Sequence, residues 1–175
     1  MNMATEPQLV AGMWVAMMAA MMLPSTAPAA LRAPSKLPFF GGYLGIWTVF
    51  AIAAAFVHFW LASRELLTAQ MALESHVAGG IVLIAIGSYQ LTPWKRACLE
   101  RTRAPQVQTL AYSLACLGSS WALMGILFVV GVTSYVWIVA IALWIAAEKA
   151  LAWGGALAAI AGAALIAWGS LTLLL

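Results

Sequence analysis

Six apolar runs, separated by short polar breaks, take up nearly all of the 175 residues. A bilayer has a hydrocarbon core roughly 30 Å thick, and a helix needs about 20 residues to cross it. The runs cover residues 8–24, 41–66, 74–91, 110–130, 132–152 and 154–175. Charge is scarce to match: 7% of residues, against about a quarter in a soluble domain, with a mean hydropathy of +1.00. A soluble chain of this length could not hide so much apolar surface, so the solvent it faces must be lipid. The expectation is a single all-α domain over 1–175: a polytopic membrane protein, a six-transmembrane-helix bundle with almost nothing outside the bilayer.

The basic residues give that bundle a direction. Arg32, Lys36, Lys95, Arg96, Arg101, Arg103 and Lys149 border the breaks after the first, third and fifth runs, and only Arg64 lies opposite. The positive-inside rule makes those breaks cytoplasmic and puts both termini on the periplasmic side of a bacterial inner membrane. A net charge of +3 thus reports orientation and not nucleic-acid binding. Met1 to Glu6 lacks a basic stretch, so no cleaved leader is expected.

Several breaks carry local signals. Pro24 should end or kink the first helix and open a Pro-rich basic loop to Pro38. Thr92-Pro93 has the form of a helix cap followed by proline at the first position, starting a short interfacial helix over Trp94 to Arg101. In it Trp94, Cys98 and Arg101 share one side, while Lys95, Arg96 and Glu100 turn to water or headgroups. Small residues at Gly79-Gly80, Gly118-Ser119-Ser120 and Ala156, Ala159, Gly162 and Ala163 suit close helix contact, which lipid-embedded bundles depend on.

Candidate chemistry is concentrated in soft donors. Met13, Met17 and Met21 recur every four residues, with Met18 and Met22 beside them, and thioethers suit Cu(I). Methionine also fills gaps in apolar packing, and spacing alone does not separate the two roles. Cys98 and Cys116 are further soft donors in different segments, too far apart in sequence for a zinc signature and unsuited to a structural disulfide. His58 lies inside the second run, where a polar ring is costly and faces the bundle interior. Glu148 and Lys149 end the fifth run and could form an ion pair or a proton-linked site. Aspartate, a phosphate-binding loop, CxxC and HExxH are all missing, so no familiar catalytic machinery is present and a non-enzymatic role is expected.

Four stretches, taken together, carry a resemblance. They are Met13-Trp14 with Ala16 to Pro24, Tyr89 to Pro93 with Lys95 to Leu99, Cys116-Leu117-Gly118 with Trp121 to Met124, and Glu148-Lys149. In this order they resemble a bacterial family of predicted metal-binding integral membrane proteins, a domain of unknown function sometimes labelled copper chaperone. The resemblance spans nearly the whole chain and implies a membrane scaffold with a soft-metal site. The family pattern has further cysteines where this chain has Thr102, Ser119 and Ser120, and an asparagine near Thr133-Ser134. A hydroxyl binds Cu(I) or zinc far less well than a thiolate, so the implied cysteine site is incomplete here.

Three functions follow as expectations. The first is a non-enzymatic accessory or structural subunit of a larger membrane complex, in contact with the lipid bilayer and other membrane subunits. The second is a copper(I) chaperone or conduit supplying a membrane cuproenzyme, with Met13, Met17, Met21, Cys116, Cys98 and His58 as candidate ligands. The third is a subunit holding pigment or lipid, suggested by nine tryptophans and the small-residue faces.

Overall fold

The computed structural model describes residues 6–68, 71–105 and 108–174, which are helical apart from short connections. Met1 to Thr5, in the stretch read for a leader, and Leu175, the end of the last run, lie outside the described residues. The elements are α1 Pro7–Arg32, α2 Lys36–Ser63, α3 His76–Gln90, α4 Pro93–Thr102, α5 Thr109–Met124, α6 Ile126–Val130, α7 Tyr135–Ala150 and α8 Gly154–Leu174.

Helices α1, α2, α8 and the α5–α6 pair over Thr109–Val130 are long and apolar enough to cross a membrane. Helices α3 and α4 pass that test only as a pair bent by 62°. By length and composition the candidate crossings are therefore four, or five if the bent pair counts as one. The expected six is met only to that extent, because α3 and α7 have 15 and 16 residues. At 1.5 Å per residue they reach about 22–24 Å, short of a hydrocarbon core of roughly 30 Å.

Two expectations about the first connection are corrected. Helix α1 does not stop at Pro24 but runs through Pro24 and Pro28 to Arg32. Each proline removes one backbone donor, leaving the carbonyls of Ala20 and Pro24 without their helical partners, a loss that membrane helices tolerate. Ser25 Oγ donates to the Met22 carbonyl at 3.0 Å, and Tyr43 Oη from α2 donates to the same carbonyl at 3.3 Å. The Pro-rich basic loop thus shrinks to Ala33–Ser35, and α2 begins at Lys36. At 28 residues, α2 spans about 42 Å and must tilt or project beyond the apolar layer.

The packing is inverted relative to a soluble protein. Val49, Ile52, Phe56, Leu143 and Ile160 are exposed, while Ser25, Thr26, His58, Lys95, Ser119 and Glu148 are buried. Lipid favours this arrangement, since polar groups that cannot reach water must find partners inside the bundle. The central layer joins α1, α2 and α5 through Trp14, Met18, Met22, Tyr43, Trp47 and Cys116, and α7 lies against α1.

Helix α8 is held by α3 through two reciprocal glycine pairs, seven residues apart on each helix. A Cβ built on Gly87 would lie 2.7 Å from the Gly162 carbonyl oxygen, and one on Gly162 would lie 2.8 Å from that of Gly87. Gly80 and Gly169 meet in the same way, at 2.9 and 2.6 Å. The helices run antiparallel with their backbones in contact, which only glycine permits. Gly162→Ala should therefore destabilise the detergent-solubilised protein by about 1–3 kcal/mol. Gly155→Ala, whose Cβ would meet nothing within 4 Å, should not. Thermal unfolding of the two variants beside the wild type tests the contrast.

Candidate functional site

The buried thiol of Cys116 organises the polar interior. It sits near the middle of α5 with no exposed surface, on the side facing α1, α2 and α7. Lys149 Nζ, from the last turn of α7, donates to Cys116 Sγ at 2.9 Å and to Ser25 Oγ at 3.3 Å. Tyr43 Oη lies 3.2 Å from the same sulfur. Three helices thus converge on one thiol, and Tyr43 links it to the Met22 carbonyl on the methionine helix. The sulfur is the one soft donor in this polar cluster.

The methionines line the same core. Trp14, Met18, Met22 and Thr26 fall four residues apart and are fully or almost fully buried. Met17, Met21 and Ser25 form a second buried row beside them, whereas Met13 is only half-buried. The stripe read from the sequence is therefore the edge of a wider face, and its deepest members are Met18 and Met22.

Two of the six candidate ligands lie elsewhere. Cys98 from α4 packs on Gly118, where an added Cβ would come within 2.8 Å of its sulfur. Gly118 is two helical positions from Cys116 and faces another way, so the two cysteines serve different sides of α5. Both are free thiols. His58 is 15 residues along α2 from Tyr43, about 22 Å at 1.5 Å per residue, and cannot share an ion with Cys116. Its ring is fully buried between Trp14 and Phe128, with centroids 6.3 Å from each, and neither ring nitrogen has a hydrogen-bond partner among the described residues.

The Glu148–Lys149 pairing considered from sequence does not form. Lys95 Nζ donates instead to Glu148 Oε2 at 2.7 Å, with both side chains buried, and Trp144 Nε1 donates to Glu148 Oε1 at 3.0 Å. This also corrects the reading of α4: Lys95, Cys98, Leu99 and Thr102 face inward, and Trp94 is exposed. The helix starts as expected, with Thr92 Oγ1 accepting from Lys95 N at 3.3 Å and Pro93 at the first position. A buried carboxylate 53 residues away outweighs the amphipathic pattern of ten residues.

The three hydroxyls at the family's cysteine positions are buried and bond to their own helices. Thr102 Oγ1 donates to the Leu99 carbonyl at 2.7 Å, Ser119 Oγ donates to the Cys116 carbonyl at 2.9 Å, and Ser119 and Ser120 lie 3.4 Å apart. Among the described residues, no three His, Cys, Asp or Glu side chains are grouped to hold a metal ion. Cys116 and the buried methionines of α1 are soft donors, the kind that suits Cu(I) and not zinc.

Sequence comparison assigns the chain to a class. The model of the PpoB2 family, described as "Copper chaperone", matches residues 11–172. The protein belongs to this copper chaperone family, as the four stretches from Met13 to Lys149 implied. No curated protein and no solved structure matches it.

Sequence reasoning missed Tyr43 and the contact of Lys149 with Cys116. No local pattern singles out Tyr43 among the aromatics of its run or joins it to residue 116.

Because Lys95 and Glu148 are buried together, removing one charge strands the other. Lys95→Met should cost about 3–5 kcal/mol, and adding Glu148→Leu should recover most of that loss. Unfolding of the two variants in detergent measures both values, and equal stability of single and double variants would refute the coupling.

Proposed function

We propose that this protein receives Cu(I) inside the membrane and passes it on, as a chaperone or conduit for a membrane cuproenzyme. The observation that carries this reading is Cys116 Sγ, buried at the methionine face with Lys149 Nζ 2.9 Å away. Copper is the cargo. Thiolate and thioether donors favour Cu(I), and binding would release the thiol proton. A cation already at the sulfur supports reversible loading, since Cu(I) and the ammonium compete for the same sulfur.

Membership of the copper chaperone family supports the same reading. So does the run of buried methionines from Met17 to Met22, on the helix that joins the His58 level to the Cys116 level. The finer topology belongs to this proposal: six membrane segments, with short α3 and α7 completed by their flanking residues, in a bacterial inner membrane. Both termini are then periplasmic, and the end holding Arg32, Arg103 and Lys149 is cytoplasmic. The role is non-enzymatic and works by contact with another membrane subunit.

The alternative is a purely structural subunit of a larger membrane complex. It is favoured by Thr102, Ser119 and Ser120 standing where the family pattern has cysteines, each buried and two of them bonded to backbone. A pigment- or lipid-holding role has one feature behind it, an apolar recess of 290 Å³ beside the stacked Trp137 and Trp168.

Copper loading separates these readings. The purified protein, loaded with Cu(I) under reducing conditions and dialysed, should retain near-stoichiometric copper. Cys116→Ser should weaken retention at least tenfold in Kd, about 1.4 kcal/mol. Met22→Leu should weaken it less, and Cys98→Ser not at all. Copper absent from the wild type, or unchanged in Cys116→Ser, would sink the copper reading and leave the structural one.

A further inference from the structure

A cavity of 480 Å³ lies at the basic end of the bundle, between the last turns of α1, α4 and α7. Ser25, Arg32, Thr102, Arg103, Tyr112 and Lys149 form its polar walls, and no carboxylate is among its lining residues. Arg32 Nε donates to the Pro28 carbonyl at 3.1 Å, and its Nη1 donates to that of Ala104 at 3.1 Å. Arg103 donates to the carbonyls of Glu148, Leu151 and Ala152, which ties down the end of α7. Lys149 donates to Ser25 and Cys116. Every described hydrogen-bond partner of these three cations is formally neutral.

The chain has five acidic side chains to offset them. Glu6, Glu65 and Glu74 are exposed at the opposite end, Glu100 is exposed on α4, and Glu148 is taken by Lys95. Around the cavity, Arg32, Lys95, Arg103 and Lys149 therefore face Glu148 alone, leaving three positive charges uncompensated. Arg103 Nε, moreover, is buried without a hydrogen-bond partner among the described residues. Fixed guanidinium groups with spare donors match the geometry and charge of a phosphate better than a single carboxylate does.

We propose that this cavity binds a phosphate group, held by Arg32, Arg103 and Lys149. The group could arrive on a phospholipid at the bilayer edge or as a free phosphate, and the two sources differ in what they deliver. Arg32 sits on the rim, where a headgroup and a soluble anion both have access.

The test uses the copper-free full-length protein, so its outcome is independent of the copper reading. Inorganic phosphate is titrated by calorimetry into delipidated protein in neutral detergent, with chloride at equal ionic strength as control. In parallel, native mass spectrometry counts phosphatidylglycerol and phosphatidylcholine retained from mixed nanodiscs. One probe should bind the wild type about tenfold more tightly than Arg32→Gln, a loss in line with one charged hydrogen-bonding group, and Arg32→Lys should keep most of the affinity. Phosphate binding identifies a soluble ligand, and selective phosphatidylglycerol retention identifies a lipid. If the wild type prefers neither phosphate over chloride nor phosphatidylglycerol over phosphatidylcholine, the proposal fails, whether or not Arg32→Gln folds. Equal binding by a folded Arg32→Gln overturns it too.

Discussion

Glu148 is the one acidic side chain buried in the bundle, and the arrangement of the basic end depends on how its charge is met. A carboxylate away from water is tolerated only with a close, hydrogen-bonded partner. Lys95 supplies that partner, and α4 is drawn in beneath α7 where the sequence pattern alone would have laid it flat on the membrane. Arg103, just past the end of the same α4, then reaches the carbonyl of Glu148 in the last turn of α7 and those of Leu151 and Ala152 just beyond it. A cation at the C-terminal end of a helix helps satisfy both its backbone carbonyls and its dipole. With Glu148 committed, its neighbour Lys149, about 100° around the helix, is left to turn toward Ser25 and Cys116. One ion pair thus settles the cation that meets the thiol.

The rest of the interior is arranged along α1. At one end Trp14 stacks on Phe128 and borders His58, and at the other Ser25 and Thr26 meet Lys149 and Tyr112. Between them the wall is methionine, which packs without fixed shape and offers sulfur where leucine would offer only methyl groups. The glycine contact of α3 with α8 stands on a different side of the bundle, with Thr172 and Gln90 as its polar neighbours. The closest backbone packing and the candidate chemistry are therefore separated in space.

How much was legible in the sequence follows from range. The helical, lipid-facing character came from apolar runs whose signal is local, and so did the Thr92 cap and the small-residue faces, of which Gly80 and Gly162 prove to be backbone contacts. The methionine face was legible in direction but not in width, because Met18 and Met22 only emerge as its deepest members once α2 and α5 close over them. Lys95 was misplaced because its partner is remote in sequence, and the extension of α1 past Pro24 was missed because a proline reads locally as a break although membrane helices tolerate it. The family likeness was legible from motifs spread along the chain, whereas the grouping of Tyr43, Cys116 and Lys149 depends on three helices meeting.

That grouping also bears on why an incomplete cysteine set need not mean a lost function. A site that holds a metal permanently gains from a full set of thiolates and from the absence of competing cations. A carrier needs the reverse, since a cargo bound too tightly is not released. In the proposed copper reading, a single thiol, hydroxyls at Thr102, Ser119 and Ser120, and an ammonium at the sulfur would all weaken and shorten binding. In that reading the Lys149 contact with Cys116 Sγ gives the loaded state a competitor, and such a balance is what delivery to a stronger site would require.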